Sequence, residues 1–230
     1  MKGRAGQLAA RIVAAALASA IAGSAPAQSA PTQRAQGVVT RVFPVTGSAS
    51  DGHAWRVESA GKVTPVRSTT KGDVVVARSG GPQGMLVSVG LLRFNTAAIP
   101  DDARITGVQL QFEITFGGSE DRLRLVVEPY PPERWPIDSR DFATRPRRPP
   151  VGSFDLASLH GGDTAALRLD PRTVRPRGSL TALRLVIPGR QTDDTNAVHL
   201  ASVDHRRLAA PRLVVTYSTG DAPAQPPHPR

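Results

Sequence analysis

The sequence predicts an all-β fold, an antiparallel two-sheet β-sandwich, and three observations carry that expectation. Between about residues 38 and 218 the apolar residues recur with a period of two rather than 3.6. The periodic runs are short and are punctuated by Gly, Pro and Asp. No run sustains three helical turns. Alternating faces of this kind are buried when two antiparallel sheets pack against each other, and a jelly roll is the expected variant.

The elements follow in chain order. Lys2, Arg4 and Arg11 precede an apolar run from Ile12 to Ala22, and Ala25-Pro26-Ala27 supplies a small-x-small cleavage pattern, so residues 1–27 read as a secretory signal peptide. The run falls short of the roughly 18 to 20 uninterrupted apolar residues that span a bilayer. No membrane insertion is expected once it is removed, and the expected location is extracellular or periplasmic. Residues 28–37, rich in Ala, Pro, Ser, Thr and Gln, read as a disordered linker. The domain is expected over 38–218, and 219–230 as a disordered Pro-rich tail that cannot continue a strand ladder.

Within the domain, strands are expected at Val38 to Phe43, His53 to Glu58, Asp73 to Ser79 and Met85 to Phe94. The clearest alternation follows, with Val108, Leu110, Phe112, Ile114 and Phe116 on one face and Gln109, Gln111, Glu113 and Thr115 between them. Leu123, Leu125 and Val127 repeat the pattern, with Arg122, Arg124 and Glu128 pointing away, and Gly117 to Asp121 is expected to close a hairpin between the two runs. Further strands are expected at Thr164 to Leu169, Leu180 to Ile187, Ala197 to Val203 and Arg212 to Tyr217. The predicted core is Leu110, Phe112, Ile114, Leu123, Leu125, Leu183, Leu185 and Leu213.

Composition narrows the function. The 230 residues contain no Cys, which excludes disulfide scaffolds, thiol nucleophiles and thiolate metal sites. Of the catalytic patterns, no Gly-x-Ser-x-Gly elbow, His-Glu-x-x-His motif or phosphate loop occurs. Asp155, Ser158 and His160 lie close enough in sequence to be drawn as a triad, but on a strand-to-loop run they read as turn chemistry. Glu128 with Glu133, and Asp138 with Asp141, are carboxylate pairs that would matter only across a cleft. The chain therefore reads as no enzyme. His199 and His205 with Asp204 read as solvated rather than metal-ligating, and no cofactor is expected. The oxygen-rich loops Asp101-Asp102 and Asp193-Asp194 with Asn196 leave a structural calcium open, with the turn reading preferred.

Charge points instead to binding. The formal net charge is +10, and 26 of the 29 basic residues are Arg, whose planar guanidinium grips carboxylate, sulfate or phosphate through two parallel hydrogen bonds. Such a bias can equally decorate a solvated surface. Arg122, Arg124, Arg168 and Arg184 occupy outward positions of predicted strands, beside Gln109 and Gln111. Arg134, Arg140, Arg145, Arg147 and Arg148 crowd one long loop, in which Trp135 is the candidate exposed ring. The expected ligand site is thus Arg122, Arg124, Arg168, Arg184, Gln109 and Gln111, with Arg134 and Trp135 at its rim. Aromatics at 4% leave few stacking platforms for neutral sugars. Nucleic acid, the rival polyanion, is disfavoured by the export signal and by the lack of ribonucleoprotein motifs.

One stretch carries a resemblance. Gly90-Leu91-Leu92-Arg93-Phe94-Asn95-Thr96-Ala97-Ala98-Ile99-Pro100, followed by Ala103-Arg104-Ile105-Thr106-Gly107-Val108-Gln109-Leu110, resembles the "LLRFD-SSIP-GA-I-SA-L-L" segment of DNRLRE-type secreted domains. Three further segments agree in order: Trp135 with Phe142, Ser153 to Leu159, and Leu200 to Asp204 followed by Ala210 to Tyr217. These jelly-roll modules are similar to a carbohydrate-binding family that recognises alginate. Asn95, Phe142 and Asp204 depart from the pattern, which puts the ligand in question at those positions. The resemblance implies fold more than function. Two functional expectations follow: a secreted non-catalytic carbohydrate-binding module for an anionic, uronate-type polysaccharide held by arginines, or a structural or adhesive β-sandwich of a cell surface or exported assembly.

Overall fold

The computed structural model describes residues 37–59, 62–119, 122–131, 135–144, 146, 148–189 and 194–219. The expected signal peptide, the linker up to residue 36, the tail from residue 220, and Glu133, Arg134 and Asp193 lie outside them. Thirteen strands occur among the described residues: β1 (Gly37–Pro44), β2 (Asp51–Ser59), β3 (Lys62–Val63), β4 (Arg67–Thr69), β5 (Val74–Ser79), β6 (Met85–Asn95), β7 (Arg104–Ser119), β8 (Arg124–Tyr130), β9 (Gly152–Asp155), β10 (Thr164–Leu169), β11 (Leu180–Val186), β12 (Asn196–Leu200) and β13 (Arg212–Thr219). Their pairings are antiparallel throughout. The protein is all-β, as the alternation requires.

The strands form one curled sheet ordered β1-β13-β7-β12-β5-β6-β11-β8-β9, with β10 on β7, β2 on β6, and β3 and β4 on β2. Two facing layers result. The first holds β1, β13, β7 and β10; the second holds β12, β5, β6, β11, β8 and β9 with β2 to β4. This path is sandwich-like but does not by itself amount to a jelly roll. β7 joins the layers, because its first part pairs with β13 and β10 while Ile114 to Ser119 pair with β12.

The hairpin expected between β7 and β8 is therefore corrected. β7 runs on through Gly117–Ser119 to reach β12, and β8 pairs with β11 and β9 instead. Gly117 makes the crossing possible, since a Cβ there would sit 2.0 Å from the carbonyl oxygen of Leu159.

The main core lies between the layers. Val108, Leu110, Phe112 and Ile114 of β7 meet Leu92 and Phe94 of β6, Leu125 and Val127 of β8, Leu183 and Leu185 of β11, and Leu213, Val215 and Tyr217 of β13. All of the predicted core is fully buried except Leu123, which is half-buried and packs at its edge. Each such side chain contributes about 1.5 to 3 kcal/mol by leaving water.

A second, smaller core sits on the other face of β6. There Val87, Val89 and Leu91 pack with Ala54, Tyr130, Ile137 and Phe142, and Trp135 leans on the cluster. Burial on both faces explains why Met85-Leu86-Val87-Ser88-Val89-Gly90-Leu91-Leu92 reads as a nearly unbroken apolar run instead of alternating. The segment that covers this face is the connection from β8 to β9, whose 3-10 turn at Ser139–Phe142 starts from a capping box between Asp138 and Asp141.

Candidate functional site

The outward arginines expected to form one surface are divided between the two layers. Arg168 alternates with Leu167 and Leu169, which enter the main core, so it faces outward from the first layer. Arg184 alternates with Leu183 and Leu185 and faces outward from the second. The sandwich separates them. Arg124 stands at the start of β8, opposite Asp155 in the ladder, and donates to the hydroxyl and carbonyl oxygens of Ser153 at 2.7 and 2.6 Å. Arg122 is not on a strand at all: it is exposed in the connection before β8 with φ at 51°. A single four-arginine face is thus corrected, because the hairpin that would have aligned Arg122 and Arg124 beside Gln109 and Gln111 does not form.

Three outward arginines of the second layer are occupied internally. Arg184 is held by Glu128 at 2.7 Å and donates to the carbonyl oxygen of Phe142 at 3.1 Å, with only 12% and 13% of the two charged side chains exposed. Arg93 lies 4.7 Å from the ring centroid of Trp135, and Arg56 lies 4.8 Å from that of Phe142. Desolvation pushes the Arg93 guanidinium pKa down from its usual value. Trp135, expected as an exposed platform, is instead half-buried against the second core with its indole N–H buried. These contacts fasten the β8–β9 connection to the sheet.

The first layer presents a different surface. Ladder register sets Arg168 opposite Gln109, and Gln111 between Ala166 on one side and Arg212 on the other. The Gln111 amide donates to the Gln109 side-chain oxygen at 2.7 Å, and Arg212 Nε donates to the Gln111 side-chain oxygen at 2.8 Å. The two glutamines are locked into a polar ladder with an exposed guanidinium at each diagonal corner. Strand spacing and rise put the Cα atoms of Arg168 and Arg212 about 12 Å apart. Glu113, opposite Thr164, is the one carboxylate in this stretch of β7. Three expected residues therefore assemble, and Arg212 joins them unpredicted. Its signal was available: it alternates with the buried Leu213 and Val215, so it had to face outward.

The acids and histidines considered for chemistry serve the framework. Glu128 is taken by Arg184, and Asp141 accepts from the buried Tyr130 hydroxyl and from the Asp138 amide. Ser158 donates to the Asp155 carbonyl while Asp155 accepts from the Ala157 amide, which is a turn. His205 Nδ1 accepts from the Leu208 amide at 3.1 Å. Asp101 and Asp102 are exposed in the β6–β7 turn, closed by Ala103 donating to the Pro100 carbonyl. No group of three or more acidic or histidine side chains suited to a metal occurs among the described residues.

β2 carries two perturbed groups on its inward side. Asp51, fully buried, has its carboxyl pushed up to about 6 by desolvation, helped by the nearby charge of Asp204 and opposed by the Val203 amide that donates to it at 2.9 Å. His53 is pushed down to about 4, again chiefly by burial, and its ring lies 5.0 Å from Trp55. Burial also lowers His199, whose ring packs 5.0 Å from Phe116.

No protein-family model matches this chain, and no curated protein shows significant similarity to it.

Proposed function

We propose that the protein is an extracytoplasmic, non-catalytic module that binds an anionic polysaccharide of the uronate type on the outer face of its first layer. The observation that supports this best is the ladder Arg168–Gln109–Gln111–Arg212. It offers two exposed guanidiniums for charge-assisted, bidentate bonds to carboxylates, with amide side chains already oriented between them. Because the glutamines are fixed by each other and by Arg212, little side-chain entropy remains to be lost on binding. The DNRLRE-like stretch and the leader-like N-terminus argue for the same class and compartment.

A structural or adhesive module is the second reading. The observation favouring it is that Arg56, Arg93, Arg124 and Arg184 all have partners within the chain. A glycan array of uronate, sulfated and neutral polymers, read at low and high salt, separates the two. Retention of uronate polymers that fades as salt screens the guanidiniums is the expected result. Absence of retention for every anionic polymer at low salt would leave the structural reading standing.

A further inference from the structure

A second place in the molecule gathers arginines to which the described residues give no carboxylate partner. A cleft of about 610 Å³ opens beside the ends of β8 and β11, lined by Pro129, Tyr130, Arg148, Arg175, Arg177 and Ser179 among others. That volume is in the range of about 300 to 1,000 Å³ typical of small-molecule sites. Its described lining includes three arginines and no Asp or Glu. Arg140 is paired with Asp138, and Arg172 with Asp170, close by in sequence. Arg148, Arg175 and Arg177 have no such partner among the described residues, and all three are exposed.

The wall that carries two of them is a built turn. Arg175-Pro176-Arg177-Gly178 closes with the Gly178 amide donating to the Arg175 carbonyl at 2.9 Å, and Pro176 sits at the turn position that favours its fixed φ. Thr96 pins the far end: its hydroxyl donates to the Gly178 carbonyl at 3.2 Å and its amide to the Ser179 carbonyl at 2.9 Å. Val174, buried, anchors the near end. Tyr130 also borders the cleft, but it is buried in the second core with its hydroxyl held by Asp141. Two arginines on a pinned turn and a third from the β8–β9 connection thus line a space to which Pro129 and Leu180 also contribute.

We propose that this cleft binds a single sugar-acid unit, its carboxylate or sulfate ester held by Arg175, Arg177 and Arg148 and its ring resting on Pro129. The site is separate from the Arg168–Arg212 ladder and takes a monomer or chain end rather than the run of a polymer. It stands or falls independently of the proposed function.

The test is titration calorimetry of the full chain with glucuronate, glucose 6-sulfate, glucose and inorganic sulfate. Arg175→Ala with Arg177→Ala should weaken glucuronate and glucose 6-sulfate binding by about tenfold or more. The turn itself should survive, since its bonds are made by backbone atoms and by Thr96. Arg67→Ala with Arg104→Ala removes the same charge from exposed positions outside the cleft and should leave binding unchanged. Equal loss in both double variants would reduce the effect to net charge and overturn the site. Glucose binding as well as glucuronate, inorganic sulfate binding as well as glucose 6-sulfate, or no acid-sugar binding at all would overturn it too. Because the probes are monomers, these outcomes leave the polymer reading of the first layer to its own test.

Discussion

The outer faces of the two layers carry the same residue type in opposite states. On the second layer Arg184, Arg93 and Arg56 lie under the β8–β9 connection, paired with a carboxylate or laid over Trp135 and Phe142. On the first, Arg168 and Arg212 flank Gln109 and Gln111 in the open. An outward strand position therefore does not make an arginine available. What decides is whether a later segment of chain lies down on that face, and here the apolar Trp135, Ile137 and Phe142 bring one down on only one side.

The largest expected effect comes from breaking the covered face. Arg184→Ala leaves Glu128 without its nearly buried partner and should cost about 3 to 5 kcal/mol in chemical denaturation. Phe142→Ala removes a buried ring from the second core together with the cation-π contact of Arg56, and should cost about 3 kcal/mol in the same assay. If either change is as mild as an ordinary surface substitution, the β8–β9 connection is not held down by these contacts.

A smaller effect is hidden by cancellation. The raised Asp51 carboxyl keeps a proton in the folded state between about pH 4 and 6 that the unfolded chain has lost, so this group makes stability fall as pH rises through that window. The lowered His53 imidazole refuses a proton that the unfolded chain accepts between about pH 4 and 6.5, so it makes stability rise over nearly the same range. Each change totals roughly 3 kcal/mol across its window, and the two largely offset. Asp51→Asn should unmask a rise in stability with pH, and His53→Gln a fall. Identical pH profiles for both variants in thermal melts would contradict the burial assigned to β2.

The smallest expected effect belongs to the open face. Arg168→Ala with Arg212→Ala should change folding stability by no more than about 0.5 kcal/mol, because exposed charges contribute little. A destabilisation approaching that of Arg184→Ala would mean that the ladder serves the fold.

The division between legible and hidden features follows the range of the interactions. Alternation is local, so β7, β10, β11 and β13 and their inward leucines could be read from the sequence, as could the outward direction of Arg168. The expected strand from Ala197 to Val203 ends at Leu200, because a register shift near His199 releases the chain and the Ala201 amide turns to the Glu113 carbonyl. β9 escaped notice because four residues carry too little periodicity. The second core was concealed by its own completeness: a strand buried on both faces shows no alternation to mark its outer side. Trp135 and Phe142, partners of that strand, could not be assigned without knowing that a loop some forty residues on would cover it. The path of β7 into the other layer depends on β12, which follows it by more than seventy residues. Only tertiary pairing reveals that the residues expected on one face belong to two.

The most direct test of the central contrast is the affinity of a uronate oligosaccharide, titrated at low salt into the wild-type chain and into the Arg168→Ala, Arg212→Ala double variant. The open-face account predicts that the oligosaccharide binds the wild type and that the double variant weakens it by about tenfold or more, with the melting temperature unchanged. An unchanged affinity in that folded variant would contradict it.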